Sequence, residues 1–143
     1  MVLKVTWKGG LEFRGDAKSG FSLGLSASSR VGGLEDGFRP MELMALSLAG
    51  CTAMDVISIL QKKRQQITEF EVHINPEFAD VHPYVWTQVQ IEYLITGTDV
   101  NPIAVESAIE LSLTKYCPVH GMLAGSVKID STYKIVEADT AAS

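Results

Sequence analysis

The sequence has 143 residues, 46% of them hydrophobic and 20% charged, which suits one ordinary core and excludes a disordered chain. Seventeen acidic against twelve basic residues leave a net charge of −5, which argues against a nucleic-acid partner and against an anionic membrane surface. No run reaches the roughly 18 uncharged apolar residues of a membrane span, and the first residues lack a signal peptide's long apolar core. A cytoplasmic protein is therefore expected, in a compartment where thiols stay reduced.

Val2 to Trp7 alternates as a strand does, and Gly9-Gly10 breaks it as a hairpin turn would. Leu11 to Arg14 and Phe21 to Leu25 read as two more short strands, separated by Gly15-Asp16 and Ser19-Gly20. Ser26 to Arg39 is polar and glycine-bearing, hence a loop, and a loop of that length often sits at a site or an interface. Pro40 suits the first turn of a helix, which runs from Met41 to Arg64. From Leu43 to Leu60 it is nearly all apolar, and a helix apolar on every side is expected to be buried on every side. Gln61-Lys62-Lys63-Arg64 ends it with cations at the negative end of the helix dipole. Some 24 residues would run about 36 Å. One subunit of this size cannot cover such a helix, so an intimate homodimer is expected.

Phe70 to Phe78 alternates around Val72 and Ile74. Val85, Thr87, Val89, Ile91, Tyr93 and Ile95 form a period-two row opposite Gln88, Gln90 and Glu92, as in a half-solvated antiparallel strand. Asn101 is placed to cap a second helix with Pro102 in its first turn. Ile103, Val105, Ala108, Ile109 and Leu113 give that helix an apolar face, and Pro118 stops it near Lys115-Tyr116. Ser126 to Val136 is the last strand, and the tail after Glu137 is expected to fray. The order is β-β-β-α-β-β-α-β, one α+β domain over residues 1–143 with a long buried central helix.

Both cysteines carry a choice between packing and chemistry. Cys51 sits midway along the long helix beside Gly50, with Asp55 one turn on where a purely packed helix would carry leucine. Cys117 follows the second helix at a chain reversal. They lie 66 residues apart, so there is no CxxC motif. Cys117-x-x-His120 has metal-like spacing, but a structural zinc site needs four ligands and Cys51, His73 and His82 lack paired spacing, so no metal is expected. Redox chemistry remains: a thiolate is oxidised by a peroxide to a sulfenic acid, and a second thiol condenses with it to a disulfide.

The run from Arg39 through Cys51 to Val56 resembles the central helix of the OsmC/Ohr family, the osmotically inducible and organic-hydroperoxide-resistance proteins. Tyr116-Cys117-Pro118-Val119 resembles its second cysteine motif, and the element order matches over essentially the whole chain. The resemblance implies an intertwined homodimer and thiol-dependent reduction of hydroperoxides, organic ones preferred, with no cofactor and a dithiol reductant to reset the enzyme. By position Cys51 matches the peroxidatic cysteine and Cys117 the resolving one. Arg14 best matches the family's thiolate-holding arginine, with Arg30 and Arg39 as other candidates. Where the hydroperoxide-resistance branch carries a glutamate after the helix-start proline, this chain has Met41, and the acid follows at Glu42; the sequence lies nearer the OsmC-like branch. Met41, Glu42, Met44, Leu48 and Tyr116 are the candidate lining of a substrate pocket. The alternative is a small-molecule-binding or stress protein on the same scaffold with little peroxidase activity.

Overall fold

The computed structural model describes residues 2–139, so most of the tail expected to fray, 140–143, lies outside the described residues. The chain forms two compact units that meet in sequence between Met44 and Ala45.

In the first unit, β1 (Lys4–Gly9), β2 (Glu12–Asp16) and β3 (Ser22–Leu25) make an antiparallel sheet in that order. Gly9 and Gly10 adopt φ of 112° and 54°, the left-handed values that glycine tolerates at a turn. The expected loop after β3 contains a 3₁₀ turn at Ser29–Val31 capped by the Ser28 side chain. It is fastened at several points. Ser26 donates its hydroxyl to Glu12 at 2.7 Å, Leu34 N–H reaches the same carboxylate oxygen at 3.2 Å, and Phe38 N–H bonds the Gly24 carbonyl at 2.9 Å.

The second unit holds most of α1 (Pro40–Lys62), then β4 (Gln66–Phe78), β5 (Trp86–Thr98), α2 (Pro102–Leu111), α3 (Pro118–Leu123) and β6 (Lys128–Glu137). Its sheet has the order β4-β5-β6, with β4 antiparallel and β6 parallel to the central β5. A parallel neighbour demands a long crossover, and α2 with α3 supply it. Val89, Ile91, Tyr93 and Ile95 of β5 are fully buried with Leu48, Val56 and Leu60 of α1 and Val105 of α2.

Three expectations need correction. Along β5 the inward row starts with Trp86, while Val85 and Thr87 face out. Phe78 pairs with Trp86 and Glu77 with Gln88, so Thr87 is an extra residue that reverses the alternation. Ile103 is 73% exposed, since its position falls off the α2 stripe of Ala104, Val105, Ala108 and Ile109. And α1 is buried along one stripe rather than all round: Ala45, Leu48, Ala49, Thr52, Val56 and Leu60 are covered, whereas Leu46 is 53% and Met54 73% exposed in the single chain. By length and composition α1 is also apolar enough to cross a bilayer, with a mean hydropathy of 1.9, because a single acid in the run does not disqualify it. That acid and Thr52 are both hydrogen-bonded to residues of the crossover segment.

Candidate functional site

Cys51 and Asp55 stand one helical turn apart on α1, four residues being the spacing that stacks side chains on one face. Thr52 lies on the buried stripe between them. Cys51 itself is half-buried. A Cβ added at Gly50 would meet nothing within 4 Å, so the backbone beside the sulfur is open in the single chain.

The second cysteine is delivered by the way α2 ends. Its last turn widens into a π turn, Ser112–Tyr116, in which the Cys117 N–H reaches back to the Ser112 carbonyl at 2.8 Å. Pro118 has no N–H with which to continue the helix, and instead opens α3 at its first position. Cys117 becomes the cap of α3: its Sγ accepts from the His120 N–H at 3.4 Å. This pins the sulfur, and Cys117 is only 5% exposed.

The structure brings the two motifs together. The Sγ atoms of Cys51 and Cys117 and a carboxylate oxygen of Asp55 all lie within 4.8 Å of one another. A line of buried hydroxyls leads to the acid. Ser112 donates to Asp55 Oδ2 at 2.9 Å, Thr52 Oγ1 lies 2.8 Å from Ser112 Oγ, and Tyr93 OH lies 2.7 Å from Thr52 Oγ1. Each hydroxyl has one hydrogen. Ser112 gives its own to the carboxylate, so Thr52 must donate to Ser112 and Tyr93 to Thr52. The line therefore has one direction, from the core of β5 to the Asp55 carboxylate.

Burial pushes the Cys117 thiol up to about 11, helped by a hydrogen bond with Cys51 and the charge of Asp55, and opposed by the His120 N–H. Burial likewise pushes the Tyr93 phenol up to about 12, against the Thr52 hydrogen bond. Burial lowers His120, against an opposing pull from the Leu113 backbone. The charged group that the fold sets beside the two sulfurs is thus a carboxylate. Cys51, Asp55 and Cys117 make three donors, one short of the four of a structural zinc site, and the cluster is not read as a metal site.

Of the other sequence-derived candidates, Leu48 is fully buried in the core. Tyr116 is half-exposed beside the Lys115 ammonium, 5.2 Å from its ring centroid. Arg14 lies on β2 of the first unit and pairs with Asp16 at 2.9 Å. Arg39 pairs with both Glu35 and Glu42 at 3.0 Å, so Glu42 has an arginine partner in its own helix turn. Arg30 lies in the 3₁₀ turn, Met41 is exposed and Met44 half-buried. Sequence reasoning misses Ser112, the partner of the acid, and Tyr93, which reaches Ser112 through Thr52. Ser112 looks like one more helix residue and Tyr93 like one more inward strand residue until tertiary packing joins them.

The family model of the OsmC-like protein matches residues 33–132, a stretch that contains both cysteine motifs. Protein YhfA of Escherichia coli K12 is 36% identical over 138 residues, covering 96% of this chain and all of that protein. A hypothetical protein from Aquifex aeolicus superposes with a TM-score of 0.84 at 25% identity, over 96% of this chain and 97% of that one. The organic hydroperoxide resistance protein OsmC of Legionella pneumophila shares the fold at a TM-score of 0.70 and 15% identity, over 94% of this chain and 97% of that one. With both cysteine motifs inside the matched stretch and meeting in space, the chain belongs to the OsmC family.

Proposed function

We propose that this protein is a thiol-dependent hydroperoxide reductase acting on organic hydroperoxides. One observation carries the reading: a half-buried and a buried cysteine, 66 residues apart in sequence, lie with their sulfurs within 4.8 Å. The Cys51 thiolate attacks the outer peroxide oxygen; the O–O bond breaks, Cys51 becomes a sulfenic acid, and the alkoxide leaves as alcohol after taking a proton. Cys117 then attacks the sulfenic sulfur, forming the Cys51–Cys117 disulfide and releasing water. A dithiol reductant returns both thiols, which fits a cytoplasmic protein. Membership of a family that includes hydroperoxide-resistance proteins supports the same chemistry.

The working form in this reading is a homodimer. Leu46, Gly50 and Met54 fall on one face of α1, apolar and open in the single chain, and a second copy would cover it. Arg14 is the cation assigned by resemblance to hold the thiolate.

The test follows cumene hydroperoxide loss with purified protein and a dithiol. Cys51→Ser is expected to abolish turnover; equal rates for variant and wild type remove Cys51 from the mechanism. A stoichiometric peroxide pulse should cost each chain two hydrogens without added oxygen by intact mass. A second reading, a binding or stress protein with little peroxidase activity, is favoured by the carboxylate beside the sulfurs. Unchanged mass after the pulse is its signature.

A further inference from the structure

We propose that Asp55 is the proton acceptor that makes Cys117 a nucleophile toward an oxidised Cys51. The inference rests on the preceding reading only in that Cys51 becomes oxidised.

The fold leaves Cys117 a difficult attacking group. It is 5% exposed, its sulfur is held in place as the cap of α3, and burial keeps it a thiol at neutral pH, so its proton must leave during the attack. Four titratable side chains are tied to it by geometry or charge. Cys51, on α1, is the electrophile once oxidised and no longer a base. Tyr93, on β5, keeps its proton and commits it to Thr52. His120, on α3, faces the sulfur with its backbone N–H, and its ring lies outside the cluster that holds both sulfurs and the acid. Asp55 remains, with a carboxylate oxygen within 4.8 Å of both sulfurs.

The positioning of that acid is coupled to the positioning of the thiol through Ser112. Its carbonyl accepts the Cys117 N–H at 2.8 Å, and its hydroxyl donates to Asp55 at 2.9 Å. One residue of the π turn thus holds both the nucleophile's backbone and the base. Thr52 and Tyr93 back that hydroxyl from the core, which fixes its direction. In the step itself the S–S bond forms and the S–O bond of the sulfenic acid breaks. The thiol proton passes to Asp55 and on to the departing hydroxide, which leaves as water, and the carboxylate is restored.

The step can be isolated without any peroxide. One equivalent of 5,5′-dithiobis(2-nitrobenzoate) added to the reduced homogeneous protein reacts first at the more accessible Cys51, releasing one arylthiolate. Cys117 then attacks that mixed disulfide, releasing the second arylthiolate while Asp55 takes the proton. For Asp55→Asn at pH 7 the second release should slow by about tenfold or more, the usual scale of a lost general base, while the first should not slow, since the neutral amide no longer repels the Cys51 thiolate. The deficit should close as pH rises toward that of the thiol, and Asp55→Glu should recover part of the rate. A second release within about twofold of wild type at pH 7, or a deficit equal at every pH, overturns the proposal. Should Asp55→Asn fail to fold, Ser112→Ala keeps the acid but frees it, and must slow the second release at least about threefold. Peroxide inertness together with an Asp55-dependent second release would sink the reductase reading and leave this inference standing; the reverse pattern would sink this inference alone.

Discussion

Ser112 and Asp55, 57 residues apart in sequence, are joined by a hydroxyl-to-carboxylate hydrogen bond of 2.9 Å that ties α1 to the turn carrying Cys117. The bond is the outer end of a buried line that continues through Thr52 to Tyr93. Its members are costly to separate, because a buried donor or acceptor left alone loses water without gaining a partner.

Thr52→Val keeps the shape of the side chain but interrupts that line. It strands the Tyr93 O–H as a buried donor and takes from Ser112 the hydrogen bond it accepts. Unfolding in urea should show a loss of about 1–3 kcal/mol. Tyr93→Phe removes only the terminal donor and should cost less than Thr52→Val. The opposite ranking would mean that the line runs in the other direction.

Stability should fall in alkaline solution. Cys117 is pushed from 9.0 up to about 11 and Tyr93 from 10.0 up to about 12, both chiefly by burial. Each group loses its proton more readily in the unfolded chain, so above pH 9 the unfolded state binds fewer protons. The contribution is complete below pH 9 and is lost as pH climbs through 11 to 12. Urea midpoints measured from pH 8 to 12 should drop over that window, and Cys117→Ala should flatten its lower half. An unchanged slope in the variant would assign the drop elsewhere.

The open face of α1 predicts the oligomeric state. Met54 is 73% exposed in the single chain, so Met54→Asp should change the stability of an isolated subunit by no more than about 0.5 kcal/mol. If a second copy covers that face, the same charge should convert dimer to monomer in sedimentation velocity at micromolar concentration. A wild-type protein that sediments as a monomer removes the dimer from the account.

Gly97→Ala tests the β4–β5 pairing. A Cβ there would collide with the Gln66 carbonyl and come within 2.7 Å of a Val100 methyl. The backbone of β4 cannot retreat without breaking the ladder, so a loss of about 1–3 kcal/mol is expected, read as a lower thermal midpoint. Gly125→Ala, an exposed turn position where a Cβ meets nothing within 4 Å, is the matched control for fold stability.

Much of the architecture was legible in the residues because local rules acted alone there. Asn101 caps α2 through Ile103 N–H at 2.9 Å, Pro40 opens α1, and paired glycines turn β1 into β2, each as its chemistry requires, whereas Pro118 reads only as a stop and the short α3 it opens is not foreseen. Local rules failed where one residue changed the count. The extra Thr87 on β5 turned Trp86 inward, and no period-two pattern reports on a bulge set by the partner strand. Nor does an all-apolar helix say which of its faces a single chain will cover.

The sequence by itself determined the order of the strands and the two longer helices, the two cysteine motifs and the family. Only tertiary structure decided that the sulfurs meet, that an acid stands beside them, and that a line of three hydroxyls from separate elements ends on it. The physical reason is one of range. Capping, turn geometry and periodicity act over a few residues, whereas desolvation and hydrogen bonding in a core depend on side chains 41 to 66 positions apart, whose encounter no local pattern records.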